Sequence, residues 1–152
     1  TEMVTGVDLI KEQIRIANNE PLSIKQDEIE FDGWSIEVRI NAEDPFNNFM
    51  PQPGKVKSYL APGGFGVRVD SAVYPGYSIP PFYDSMVAKL ITYGATREEA
   101  VDRMRRALDE FMIEGVKTTI PFHRRLMDHE VFVKGDFNTN FLSDYPIVEE
   151  DE

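Results

Sequence analysis

A chain of 152 residues, 41% hydrophobic and 28% charged, has the size and balance of one globular domain with a core of its own. Its formal net charge of −11 weighs against a nucleic-acid interface or an anionic membrane surface, and with no cysteine there are neither disulfides nor thiolate metal sites. No window holds the roughly 20 apolar residues of a membrane span, and no signal peptide is visible.

The first predicted element is a helix. Thr5 is placed to cap it, Asp8 follows three residues later as in a capping box, and Val7, Ile10, Ile14 and Ala17 recur at helical spacing. Asn18, Asn19 and Pro21 stop it. Residues 29–31 read as a short strand, and Asp32-Gly33 as the type I′ turn of a hairpin. Trp34, Ile36, Val38 and Ile40 then alternate with Ser35, Glu37, Arg39 and Asn41, so the first set faces the core and Glu37 and Arg39 share the polar face.

Residues 44–54 are punctuated by Pro45, Pro51, Pro53 and Gly54 and read as a loop. Strands are expected over 55–60 and 67–70, joined by the turn Pro62-Gly63-Gly64-Phe65-Gly66. A second loop leads through Pro80-Pro81 to a buried strand at 85–93. Thr96 and Glu99 open a helix whose apolar face runs from Ala100 to Met112, with Gly115 as its stop. A shorter helix follows at 121–128, an extended run at 131–133 and a helical turn near Phe141. The run Glu149, Glu150, Asp151, Glu152 reads as a solvated acidic tail, so residues 1–145 are expected to form the domain and 146–152 to be disordered. The order describes an α+β fold, a mainly antiparallel sheet with flanking helices.

Few residues advertise chemistry. His123 and His129 are six apart, which does not suit an i, i+4 metal pair, and no metal ligand set is expected. The glycine-rich turn at 63–66 links strands and opens no helix, so it lacks the helix N-terminus that binds phosphate; Phe65 at its tip suits a protein contact. Arg39 stands out: a guanidinium on a rigid strand presents a planar set of donors to an oxyanion, with Glu37 placed to orient it. Tyr83-Asp84, delivered by Pro80-Pro81 to a strand end, is a further candidate. On residue pattern alone, each of these also suits a purely structural role.

Several strings resemble the biotin carboxylase family. They are Thr1-Glu2-Met3-Val4-Thr5-Gly6-Val7-Asp8-Leu9, Glu37-Val38-Arg39-Ile40-Asn41-Ala42-Glu43-Asp44-Pro45, Ala61-Pro62-Gly63-Gly64-Phe65-Gly66-Val67-Arg68, Tyr83-Asp84-Ser85-Met86 with Lys89-Leu90, and Glu114-Gly115-Val116-Lys117-Thr118. They recur in order over about residues 1–142. The resemblance is to the C-terminal domain, and most to the free-standing bacterial subunit of acetyl-CoA carboxylase.

The resemblance implies an enzyme that uses ATP, Mg²⁺ and bicarbonate to carboxylate biotin held on a carrier protein, an early step toward fatty acids. It makes Arg39 the catalytic arginine on the biotin side, with Glu37, Tyr83 and Asp84 in support, and it places Phe65 and Arg68 at a homodimer interface. The family's base lies in an Arg-x-Gln-Val-Glu-His-Pro string just ahead of Val-Thr-Glu-Met, so this chain is expected to be a piece that begins after it and is inactive alone. Nucleotide and metal are expected to bind outside it. Biotin carboxyl carrier protein and carboxyltransferase subunits are the implied partners, and the cytoplasm the implied location. The alternatives are a non-catalytic interaction module of the same fold, or the equivalent domain of a propionyl-CoA or pyruvate carboxylase.

Overall fold

The computed structural model describes residues 1–147, so most of the expected acidic tail lies outside the described residues. The elements are α1 (Glu2–Thr5), α2 (Leu9–Ala17), β1 (Trp34–Asn41), β2 (Glu43–Asp44), β3 (Met50–Pro51), β4 (Gly54–Lys55), β5 (Ser58–Leu60), β6 (Val67–Ser71), β7 (Ser78–Ile79), β8 (Met86–Gly94), α3 (Arg97–Glu110), β9 (Met112–Glu114), α4 (Ile120–Leu126), α5 (Glu130–Lys134) and α6 (Phe141–Asp144). This is the expected α+β fold with antiparallel pairing. Its centre is a three-stranded sheet of order β1-β8-β6, and short two-stranded pairs β2-β3, β4-β7 and β5-β9 surround it.

The alternation in β1 holds: Ile36, Val38 and Ile40 are buried, and Trp34 at the strand end is half exposed, at 50%. Their face is continued by Ala88, Leu90 and Thr92 of β8 and is covered by α3, whose Ala100, Val101, Met104, Ala107 and Leu108 are buried. Helix and sheet approach closely at Gly94, where a Cβ would lie 2.5 Å from the Ala100 nitrogen. Thr96 caps α3 as expected, accepting the Glu99 amide at 3.2 Å, while the Glu99 carboxylate accepts the Ala95 amide at 2.7 Å.

Five expectations are corrected. The N-terminal helix is two helices, broken at Gly6 (φ 69), and Asp8, not Thr5, caps the longer one by accepting the Lys11 amide at 2.9 Å. No hairpin forms at Asp32-Gly33: the Asp32 amide donates to the Val4 carbonyl at 2.8 Å, and β1 pairs instead with β8. Gly33 is required there for a different reason, since a Cβ would lie 2.5 Å from the Gly94 carbonyl. The strands flanking the glycine-rich turn do not pair with each other; β5 joins β9 and β6 joins β8. Helix α3 ends at Glu110, before Gly115, because Met112–Glu114 is drawn out as β9 along β5. The run at 131–133 is helical, because Arg97 donates to the carbonyls of Phe132 (2.6 Å) and Val133 (3.2 Å) at the end of α5, and tertiary context overrides strand propensity.

Candidate functional site

The face of the central sheet opposite α3 carries the charged residues. Period two puts Arg39 and Glu37 there from β1, Lys89 and Ile91 from β8, and Arg68 and Asp70 from β6. Register sorts them into two rows. One row runs Arg39, Lys89, Asp70, and the next runs Glu37, Ile91, Arg68. Glu2, Met3 and Val4 of the N-terminal segment, with Phe31 and Trp34, overhang the second row and enclose a groove of about 480 Å³.

Arg39 lies on this face outside the residues that line the groove. Its side chain is 54% exposed, and its Nη2 donates to Asp84 Oδ2 at 3.1 Å. Asp84 is itself held, since its Oδ1 accepts the Met86 amide at 2.7 Å where the loop enters β8. The structure therefore pairs Arg39 with Asp84, and not with Glu37, which was expected to orient it. Glu37 instead faces Arg68, whose proton affinity it helps raise. Tyr83 is 82% exposed and borders a small cleft beside Pro80 and Pro81.

Arg68 grips Asp70 with two hydrogen bonds, 2.9 and 3.0 Å, and reaches Glu2 at 3.8 Å. That pairing raises the Arg68 pKa and holds the Asp70 carboxyl below the usual carboxylate range, with Lys89 adding to the second effect. Phe65 is 82% exposed, as expected at the turn tip, and the Arg103 guanidinium lies 5.1 Å from its ring centre. Of the histidines, His123 places Nε2 2.9 Å from the Arg39 carbonyl, and His129 packs against the rings of Phe141 and Tyr145. Among the described residues no group of three or more His, Cys, Asp or Glu is arranged to hold a metal ion.

Sequence reasoning missed Lys89, Thr119 and His123 as neighbours of Arg39. Lys89 had a visible signal, as the one charged residue in an apolar strand; the others are assembled by contacts between distant segments.

Comparison with known proteins establishes what kind of domain this is. The biotin carboxylase domain dimer of Hydrogenobacter thermophilus 2-oxoglutarate carboxylase, solved with MgADP, ADP and bicarbonate, superposes with a TM-score of 0.93 at 50% identity, over 99% of this chain and 34% of that one. Residues 37–144 match the family model of the Biotin carboxylase C-terminal domain, and the chain belongs to that family. Biotin carboxylase 1 of Bacillus subtilis (strain 168) is 67% identical over 148 residues, which is 97% of this chain and 33% of that protein. A pyruvate carboxylase subunit from Methanothermobacter thermautotrophicus is 57% identical over 145 residues, 95% of this chain and 30% of that protein. The chain thus spans about a third of the length of the curated relatives it matches.

Proposed function

We propose that, within an intact biotin carboxylase, this domain presents Arg39 to the ureido oxygen of carrier-borne biotin during carboxylation driven by ATP and bicarbonate. The supporting observation is a guanidinium anchored on a sheet strand, fixed through one nitrogen by Asp84 and otherwise turned to the open side. Such a donor suits an oxygen that gains negative charge in the transition state. Biotin, when bound, supplies the nitrogen that accepts the carboxyl group.

The residues around Arg39 then have distinct parts. Arg39 stabilises the oxyanion, Asp84 orients the guanidinium, and Lys89, directly opposite Arg39, strengthens the local positive potential. Glu37, on the same face of β1, and Tyr83, in the loop beside Asp84, are the proposed supporting residues. ATP and Mg²⁺ are proposed to bind in the remainder of the intact enzyme. The chain alone is inactive in this reading.

Homodimerisation through Phe65 and Arg68 is part of the same reading, supported by the dimeric state of the solved 2-oxoglutarate carboxylase domain. Carrier protein and carboxyltransferase subunits are the proposed partners. Acetyl-CoA carboxylase, in the cytoplasm, is the proposed setting, supported by the 67% identity to a bacterial biotin carboxylase. Relatives named for pyruvate and 2-oxoglutarate carboxylases, at 57% and 52% identity, favour a second setting with a keto-acid acceptor.

The test is Arg39→Ala in the full-length protein, with free biotin as acceptor. Carboxylation falls by about 10²–10³, the usual loss for one oxyanion donor, while the KM for ATP stays within about twofold. Unchanged carboxylation removes Arg39 from the site.

A further inference from the structure

Strand β1 is an edge strand, paired among the described residues on one side only, by β8. Its register slips between Ile40 and Asn41, where Ile40 faces Ala88 and Asn41 faces Met86. A slip of this kind re-aims neighbouring side chains, and an unpaired edge leaves backbone groups without a strand partner. Arg39 stands one residue ahead of Ile40, the last residue before the slip. Something other than the sheet has to hold it there.

The start of α4 does so. The Arg39 carbonyl accepts two hydrogen bonds, from Thr119 Oγ1 at 3.0 Å and from His123 Nε2 at 2.9 Å. The Asn41 amide donates to Thr119 Oγ1 at 3.0 Å, and the Thr119 amide donates to the Asn41 carbonyl at 3.0 Å. Four hydrogen bonds therefore tie residues 39–41 to two residues of another element, with the wholly buried Ile40 side chain between them.

The chemistry of both residues is committed to this contact. A threonine at a helix N-cap ordinarily accepts an amide of its own first turn. Thr119 occupies the N-cap of α4 but makes no such bond; its hydroxyl is turned to β1. For His123, an accepting carbonyl requires the proton on Nε2. Nδ1 is buried and unpartnered among the described residues, so a second proton there would be stranded. Burial accordingly lowers the His123 pKa and keeps the ring neutral.

We propose that Thr119 and His123 are positioning residues for Arg39, clamping its backbone so that the guanidinium meets its target from a fixed origin. Asp84 fixes the tip of the side chain, and the clamp fixes its root. The inference rests on the assignment of Arg39 as the biotin-side donor.

The experiment uses the full-length carboxylase with free biotin and bicarbonate, and reads carboxybiotin formed per ATP cleaved. Thr119→Val removes the hydroxyl at nearly constant shape, and His123→Leu removes the ring donor while leaving the threonine bonds. Each lowers the ratio about tenfold, as expected for a sub-ångström displacement of a reacting group, while Thr119→Ser and His123→Gln restore it to within about twofold. A merely structural role lowers product and ATP cleavage together and leaves the ratio unchanged, and that result overturns the proposal. His123→Leu gives the decisive reading if Thr119→Val does not fold. Arg39→Ala is measured alongside. If it leaves the ratio intact, the assignment of Arg39 fails; if it lowers the ratio and the clamp variants do not, the clamp alone fails.

Discussion

Replacing Asp84 by Asn separates the orientation of Arg39 from the stability of the domain. Asp84 Oδ2 accepts the guanidinium at 3.1 Å, and Oδ1 accepts the Met86 amide at 2.7 Å. Asparagine keeps a carbonyl for Met86 and turns an amide donor toward a guanidinium that is also a donor. Both partners are more than half exposed, at 54% and 64%. Coulomb's law in water gives about 1.3 kcal/mol at that separation, and side-chain entropy and salt bring exposed pairs down to about 0.2–1 kcal/mol. One kcal/mol moves the melting temperature of a domain this size by about 2–4 °C. Asp84→Asn therefore shifts the thermal midpoint by no more than about 4 °C. Carboxylation of free biotin in the full-length protein falls about tenfold, a fraction of the roughly 10²–10³ lost when an oxyanion donor is removed outright. Thermal unfolding and single-turnover carboxylation, run on the same preparation, read the two effects apart. A large drop in melting temperature with a proportional loss of activity, or full activity in the variant, would refute the orienting role.

Three further outcomes follow from other parts of the molecule. Arg68→Glu breaks the two-bond grip on Asp70 and gathers like charges beside Glu2, so sedimentation velocity shows a weaker dimer; an unaltered profile counts against the interface. Burial lowers the His123 pKa from its ordinary 6.5, so the unfolded chain takes up the proton first, and stability declines as the pH falls through about 6.5. His123→Gln removes this component, and urea midpoints that keep the wild-type pH slope would contradict it. Gly94→Ala drives a methyl into the backbone of Ala100 and Glu99 and costs about 1–3 kcal/mol by urea unfolding; an unchanged midpoint would show that α3 is free to shift.

Local physics made much of this fold legible. The two-residue period of β1 needs only a buried and an open face. The Thr96 cap of α3 needs only neighbours within four residues, and the apolar run of β8 marks a strand buried at the sheet centre. The same locality misled at Asp32-Gly33, whose turn chemistry is strong but whose flanking segment has no strand to pair. Strand β1 found its partner in β8, with Trp34 opposite Gly94. It misled again at 131–133, where β-branched residues became helical under carbonyl contacts from Arg97, 35 and 36 residues earlier in the chain.

The site divides along the same line. Arg39 was visible in the sequence because a charged residue on the polar face of an amphipathic strand has a defined side to face, and Phe65 because a glycine-rich turn exposes its tip. That Asp84 and not Glu37 meets the guanidinium was decided by the tertiary fold, across a separation of 45 residues, and so was the Thr119–His123 clamp, across 80 and 84. Pattern along a chain encodes which face a residue shows, because that depends on backbone geometry over a few residues. Which distant group lies against that face depends on how strands and helices close on a shared core, and only the folded chain expresses it.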